Sequence, residues 1–185
     1  SDFAGKYHLP VSIHHNIAPV SPSDQIKKPY YLAEFKKLVD AHSSTMFIWC
    51  HAGISRRINV GDLTQIIDDF LSENKRHKHV YIDLSWVVFD DYIYNKKKGI
   101  DNRKDWAKLL SKYPKTFMFG SDKVGKFKGY DVEVNKYGPF IDVLMGYKNG
   151  ETLATNFLED NFVVLMKRLR KKRGGLGVVL KPDYV

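Results

Sequence analysis

Two histidines and one aspartate stand at the ends of three apolar segments of this sequence. His14 lies near the end of PVSIHHN, His51 directly follows TMFIWC, and Asp122 ends TFMFGSD. Imidazole nitrogen and carboxylate oxygen together form a donor set that suits a divalent metal such as zinc. A metal in that setting activates water and polarises carbonyl groups. The three residues therefore predict a metal site, with manganese as an alternative to zinc.

Each of these residues is predicted to lie at the carboxyl end of a β-strand. Residues 45–50 are almost entirely apolar, as expected for a parallel strand that is covered on both faces. The small pairs Ala52-Gly53 and Gly120-Ser121 allow the backbone to turn sharply beside His51 and Asp122. Three strand ends thus converge on one candidate site.

Alternation along the first strand, residues 10–16, indicates which of its histidines matters. Val11, Ile13 and His15 share one face, and Ser12, His14 and Asn16 share the other. In a βα barrel the aliphatic face usually packs on the outer helices, so His14 points inward. His14 is therefore the better ligand candidate, and His15 is interpreted as a supporting or loop residue.

Residues 80–85 predict a further strand with Tyr81, Asp83 and Ser85 on its inward face. His77 and His79 have the HxH spacing of a metal-binding pair, but they precede this strand. They would therefore lie at the opposite end of the sheet from Asp122, so we exclude them as ligands.

Two arginines and a tryptophan are placed to border the site. Arg56 and Arg57 follow the His51 strand end in the loop ISRR, and Trp86 follows the strand of residues 80–85. A guanidinium group binds a carboxylate or phosphate through two parallel hydrogen bonds. We therefore name Arg56 and Arg57 as candidate substrate-binding residues, with simple surface solvation as the alternative.

Helical periodicity separates the predicted strands. Apolar residues recur at helical spacing in residues 30–41, 60–74, 102–113, 137–147 and 151–170, with a break near Asp160. Alternating strands and helices indicate an α/β fold with a parallel sheet. No linker divides the chain, so residues 1–185 are predicted to form a single domain with a short tail at 174–185.

The order PVSIH, then HAG after an apolar strand, then IDLS and FGSD resembles strands five to eight of the amidohydrolase-related metal-dependent hydrolases and decarboxylases. These proteins are (β/α)8 barrels. The resemblance extends to the helix around Asn161 and covers residues 9–167. It implies a partial TIM barrel of about four parallel strands with flanking helices.

The resemblance also implies roles for the candidate residues. Asp122 would approach the metal and take a proton from water, His14 would be a ligand, and His51 would bind metal or substrate. Asp122 and His51 are then the catalytic residues, and a small molecule is the substrate. The family carries two further histidine ligands, spelled HxH, on its first strand, and residues 1–8 do not supply them.

A complete barrel takes about 250 residues, and this chain has 185. The expectation is therefore half a barrel whose ligand set is incomplete and whose isolated form is inactive. Such a half exposes apolar strand edges and inward faces. We accordingly expect it to pair with a missing N-terminal half or with a second copy of the chain.

Charge provides the alternative hypothesis. The chain has 30 Lys and Arg against 21 Asp and Glu, a net charge of +9, and six of the positive residues fall in KRLRKKR at 167–173. A non-enzymatic, barrel-derived module could bind an anionic partner through this basic surface. Basic residues also suit the carboxyl end of a helix, so nucleic acid is not the expected partner.

The compartment is only weakly indicated. Cys50 is the single cysteine, which excludes internal disulfides. The first residues, SDFAGKYH, lack the apolar core of a signal peptide, and no apolar run reaches the roughly 20 residues of a membrane span. These features favour a cytoplasmic protein without a membrane span.

Overall fold

The computed structural model of the chain describes residues 2–20, 28–122 and 135–172. Its helices and strands follow one another as α1 (Asp2–Tyr7), β1 (Pro10–Ile13), α2 (Leu32–Ala41), β2 (Met46–Trp49), α3 (Leu63–Ser72), β3 (Val80–Asp83), β4 (Tyr94–Asn95), β5 (Ile100–Asp101), α4 (Arg103–Lys112), β6 (Phe117–Met118), α5 (Gly138–Met145), α6 (Gly150–Thr155) and α7 (Asn161–Lys172). The predicted α/β class is confirmed. The predicted break near Asp160 is a π-helical turn, Asn156–Asp160, between α6 and α7.

The main sheet has four parallel strands in the spatial order β1–β2–β3–β6. Helices α2, α3 and α4 connect successive strands. The spatial order follows the chain order without the reversal that marks a doubly wound sheet. Within the described residues β1 and β6 each pair on one side only, so the sheet is open at both edges.

The larger apolar core lies on the face of the sheet that α2, α3 and α4 cover. Trp49 of β2 is fully buried there, with its ring centroid 4.5 Å from that of Phe35 and 5.0 Å from that of Phe70. Large aromatic contacts of this kind dominate core energetics. They fix the end of β2, from which the His51 turn begins.

The opposite face of the sheet, called here the inner face, carries Ser12, Met46, Ile48, Tyr81, Asp83 and Met118. Helix α7 covers part of this face, since Leu165 and Leu169 are buried in one apolar cluster with Met46, Tyr81 and Met118. The expectation of an exposed apolar inward face is therefore wrong for this part. Near the carboxyl edge the inner face exposes polar side chains instead, Ser12 and the adjacent His14.

Residues 86–101 contain more structure than the predicted loop. A π-helical turn, Phe89–Ile93, leads into the antiparallel pair β4–β5. The connection between these strands is closed by Asn95, whose side chain accepts from the backbone N–H groups of Lys97 and Lys98, and by Gly99 at φ 69°. Asn and Gly are the residues that such a turn favours.

No helix in the three described ranges is long and apolar enough to cross a membrane. The predicted tail at 174–185 and the last basic residue, Arg173, lie outside the described residues.

Candidate functional site

The candidate residues meet at the carboxyl edge of the sheet. His14 directly follows β1, His51 lies in the turn after β2, and Asp122 stands four residues beyond β6. Parallel pairing sets these three strand ends side by side. This is the edge at which parallel α/β proteins carry their sites.

The structure brings the three predicted ligands together. The Nε2 atom of His51 is 3.8 Å from Oδ2 of Asp122. The rings of His14 and His51 meet edge to face with centroids 5.2 Å apart. His51 is buried, whereas His14 and Asp122 are exposed. Their proximity is observed, and their role as metal ligands stays a prediction.

Three strand ends at this edge carry non-glycine residues in the left-handed region. His51 and Ala52 have φ of 55° and 51°, Trp86 has 58°, and Asp122 has 50°. Each such residue costs about 1–2 kcal/mol. Backbone strain of this kind concentrates at functional sites because it aims side chains that ordinary geometry would direct elsewhere. Gly53, at φ 72°, completes the turn after β2.

His51 is held by a series of hydrogen bonds through Ser85 and Asp83, two residues that were not among the candidate site residues. Its Nδ1 is 2.7 Å from Oγ of Ser85, and that hydroxyl donates to Oδ2 of Asp83 at 2.7 Å. The backbone N–H of His51 also donates to the same carboxylate oxygen, at 3.4 Å. Alternation along residues 80–85 had predicted that Asp83 and Ser85 face inward, and that prediction is confirmed.

Burial favours the neutral form of both His51 and Asp83. The loss of solvent lowers the pKa of His51, although the carboxylates of Asp83 and Asp122 oppose that shift. Burial likewise raises the pKa of Asp83, and the hydrogen bond from Ser85 opposes it. His51 is therefore neutral at pH 7, with one nitrogen free to accept a proton or bind a metal.

The absence of a side chain at Gly120 leaves room for the Asp83 carboxylate. A Cβ atom at this position would overlap Oδ1 of Asp83 and lie 3.1 Å from Cβ of Ser85. Oδ1 of Asp83 is buried and has no hydrogen-bond partner among the described residues. Gly120 thus allows Oδ1 of Asp83 to pack against the end of β6.

Replacing Gly120 with alanine is expected to lower the free energy of unfolding by about 1–3 kcal/mol, the usual cost of overpacking. Gly120 does not need a positive φ, so the change tests space alone. Gly138→Ala is the matched control, because a Cβ there meets nothing within 4 Å. Urea denaturation of both variants checks this, and equal stability of the two would contradict the proposed overlap.

Trp86 and Arg56 border the site as predicted. The Trp86 ring meets the His51 ring edge to face at 5.2 Å, and the Arg56 guanidinium carbon lies 5.2 Å from the Trp86 ring centroid. Arg57 is exposed and forms no hydrogen bond or ion pair with the described residues. The structure therefore connects Arg56 to the site, but not Arg57.

Cys50 is the remaining reactive side chain on the inner face. Its Sγ lies 3.1 Å from Oγ of Ser12. Burial raises the pKa of the Cys50 thiol, and the nearby carboxylates of Asp83 and Asp122 also raise it. The thiol is therefore protonated at neutral pH and is a poor ligand or nucleophile in this state.

The donor set fits a divalent metal in chemistry and in part in geometry. Two ligand atoms on one tetrahedral zinc lie about 3.4 Å apart, close to the 3.8 Å between His51 and Asp122. Across the described ranges, no three His, Cys, Asp or Glu side chains are arranged so that they would hold a metal ion. His14 thus adjoins the pair without closing the ligand shell.

The excluded histidines lie where the sequence predicted. His79 is buried at the amino end of β3, with Nε2 3.2 Å from the backbone oxygen of Val39. It is therefore at the opposite edge of the sheet from Asp122.

Comparisons with protein-family models, with curated proteins and with solved structures found no significant match to this chain. The resemblance to amidohydrolases consequently still depends on the sequence motifs.

Proposed function

We propose that this chain forms part of a metal-dependent hydrolase or decarboxylase of the amidohydrolase-related kind. The observation that carries the proposal is the approach of His51 Nε2 to Asp122 Oδ2 at 3.8 Å, with the His14 ring against His51. These groups come from the carboxyl ends of three strands in one parallel sheet, where barrel enzymes build their active sites.

The sheet itself supports a partial barrel. Its four strands lie in chain order and are connected through helices, as in one half of a (β/α)8 barrel. Among the described residues both edges of the sheet are open, and further strands would continue the barrel there.

In the proposed site His14, His51 and Asp122 bind zinc, or alternatively manganese. A bound divalent ion supplies the acidity that activates water and the charge that polarises a substrate carbonyl. Asp122 is partly exposed and accepts a proton. His51, neutral and buried, presents Nε2 beside it. Arg56, above the Trp86 ring, binds a carboxylate or phosphate group of a small substrate.

The ligand shell is incomplete within these residues. Two imidazoles and one carboxylate hold a metal less firmly than a full set, and affinity falls steeply as ligands are removed. We therefore propose that further ligands come from a missing N-terminal half of the barrel, or from a second copy of the chain, beside β1.

The experiment is an activity assay combined with metal analysis. The 185-residue chain is assayed with zinc or manganese on a panel of esters, amides, lactones and aromatic carboxylates. It is expected to bind metal and to show little or no turnover, whereas the longest natural polypeptide that contains these residues turns over at least one substrate. Robust turnover by the chain alone, abolished in Asp122→Asn, would contradict the incomplete site. Failure of both proteins to bind metal would contradict the proposed function.

A non-enzymatic, anion-binding role is the second candidate, and α7 supplies the observation that favours it. Its last two turns present five exposed basic residues, Lys167, Arg168, Arg170, Lys171 and Lys172. None forms an ion pair with the residues that the structure describes. The test is retention on an anionic column, compared between the wild type and the triple variant Lys167→Glu, Arg168→Glu and Lys171→Glu. Loss of retention in the variant would favour this role, whereas unchanged retention would exclude it.

A further inference from the structure

The hydrogen bond from Ser85 to Asp83 indicates which ring nitrogen of His51 carries the proton. The Ser85 hydroxyl carries one proton, and it donates that proton to the carboxylate of Asp83. It has none left for His51. While Asp83 is ionised, the Nδ1 atom, 2.7 Å from the same oxygen, is therefore the donor, since Oγ of Ser85 then accepts.

The two side chains that meet at Nδ1 are shielded from solvent. Ser85 is 1% exposed and His51 6% exposed. Two further contacts hold the Asp83 carboxylate: the backbone N–H of His51 donates to Oδ2, and Gly120 packs against Oδ1. A hydrogen bond that water cannot replace determines orientation strongly, because a buried polar group left without a partner costs about 1–3 kcal/mol.

We propose that Asp83 and Ser85 are positioning residues that hold His51 in the tautomer protonated at Nδ1, so that the Nε2 lone pair faces Asp122. This inference deepens the proposed function and depends on it in one respect, namely that the Nε2 lone pair serves to bind the metal. The tautomer itself follows from these hydrogen bonds when Asp83 is ionised, and it requires no metal. A carboxylate behind a ligating histidine is a recurrent arrangement at metal sites, and here a serine hydroxyl connects the two.

Reversing the direction of both hydrogen bonds would place the His51 proton on the other ring nitrogen. A protonated Asp83 would donate to Ser85, Ser85 would donate to Nδ1, and the His51 proton would then be on Nε2. That nitrogen would face Asp122 as a hydrogen-bond donor and could not bind a metal. The two arrangements therefore differ in which ring nitrogen carries the proton, and that can be measured without metal or substrate.

The test is long-range ¹H–¹⁵N NMR of the metal-free chain with ¹⁵N-labelled histidine at pH 8, with the His51 signals assigned from His51→Gln. The wild type is expected to show a protonated Nδ1 and an unprotonated Nε2. Ser85→Ala is expected to give a mixture of tautomers. Asp83→Asn, whose amide can donate to Ser85, is expected to shift the population toward protonated Nε2. Ser12→Ala, a serine on the same face that contacts Cys50 rather than His51, is expected to match the wild type.

Thermal unfolding of each variant separates a lost tautomer from a lost fold. A wild type protonated at Nε2, or a folded Ser85→Ala variant that keeps the wild-type tautomer, would overturn the proposal. Zinc titration of the same samples addresses its functional side, because loss of a partner behind a ligand typically weakens metal affinity about 10- to 100-fold. Absence of zinc binding in every sample would count against the proposed function and leave the tautomer result standing.

Discussion

Asp122→Asn is expected to weaken zinc binding by the chain by at least about 100-fold, since loss of a partner behind a ligand alone costs about 10- to 100-fold. The amide keeps the size of the carboxylate but lacks its charge and half of its acceptor capacity. Because Asp122 is exposed, the variant should fold like the wild type. Isothermal titration calorimetry with zinc measures the change.

Asp105→Asn is the control for this experiment. Asp105 is also an exposed aspartate, but it lies in the first turn of α4 rather than at the carboxyl edge of the sheet. Its substitution should leave zinc affinity unchanged. Equal affinities for the two variants would mean that Asp122 is not a ligand.

Gly53→Ala is expected to lower the free energy of unfolding by about 2–5 kcal/mol. Gly53 has φ of 72°, at which a side chain costs about 1–2 kcal/mol. The new Cβ would also overlap Cζ2 of Trp49 and lie 2.6 Å from Cγ2 of Ile17. Overpacking of that kind adds about 1–3 kcal/mol. Equilibrium denaturation in urea measures the sum.

Gly99→Ala separates the two contributions. Gly99 has nearly the same φ, 69°, but a Cβ there meets nothing within 4 Å. This variant should therefore lose only the conformational part, about 1–2 kcal/mol. If Gly53→Ala cost no more than Gly99→Ala, the close packing of Trp49 on the His51 turn would be contradicted.

The sequence predicted the strands and the turns that end them, because both are encoded by neighbouring residues. Runs of apolar residues located β2 and β6, and the small residues after them indicated the turns that place His51 and Asp122. Alternation assigned Ser12 to the inner face and placed Asp83 there as well. These features are local, so neighbouring residues in the sequence are enough to predict them.

Features that depend on contacts between distant segments could not be predicted in this way. The hydrogen bonds that connect His51 to Ser85 and Ser85 to Asp83 depend on the register between β2 and β3 and on the left-handed backbone at His51. The spacing of Leu165 and Leu169 predicts a helix with one apolar face. It does not say that the helix will pack on the inner face of the sheet.

Zinc K-edge X-ray absorption of the chain, recorded at saturating zinc, identifies the atoms that bind the metal. We expect nitrogen and oxygen neighbours at about 2.0–2.1 Å, with outer-shell scattering from two imidazoles. This scattering should fall by half in each of the single variants His51→Ala and His14→Ala. A sulfur neighbour at about 2.3 Å, which would identify Cys50 as the ligand, or a spectrum that neither substitution alters, would contradict the proposed metal site.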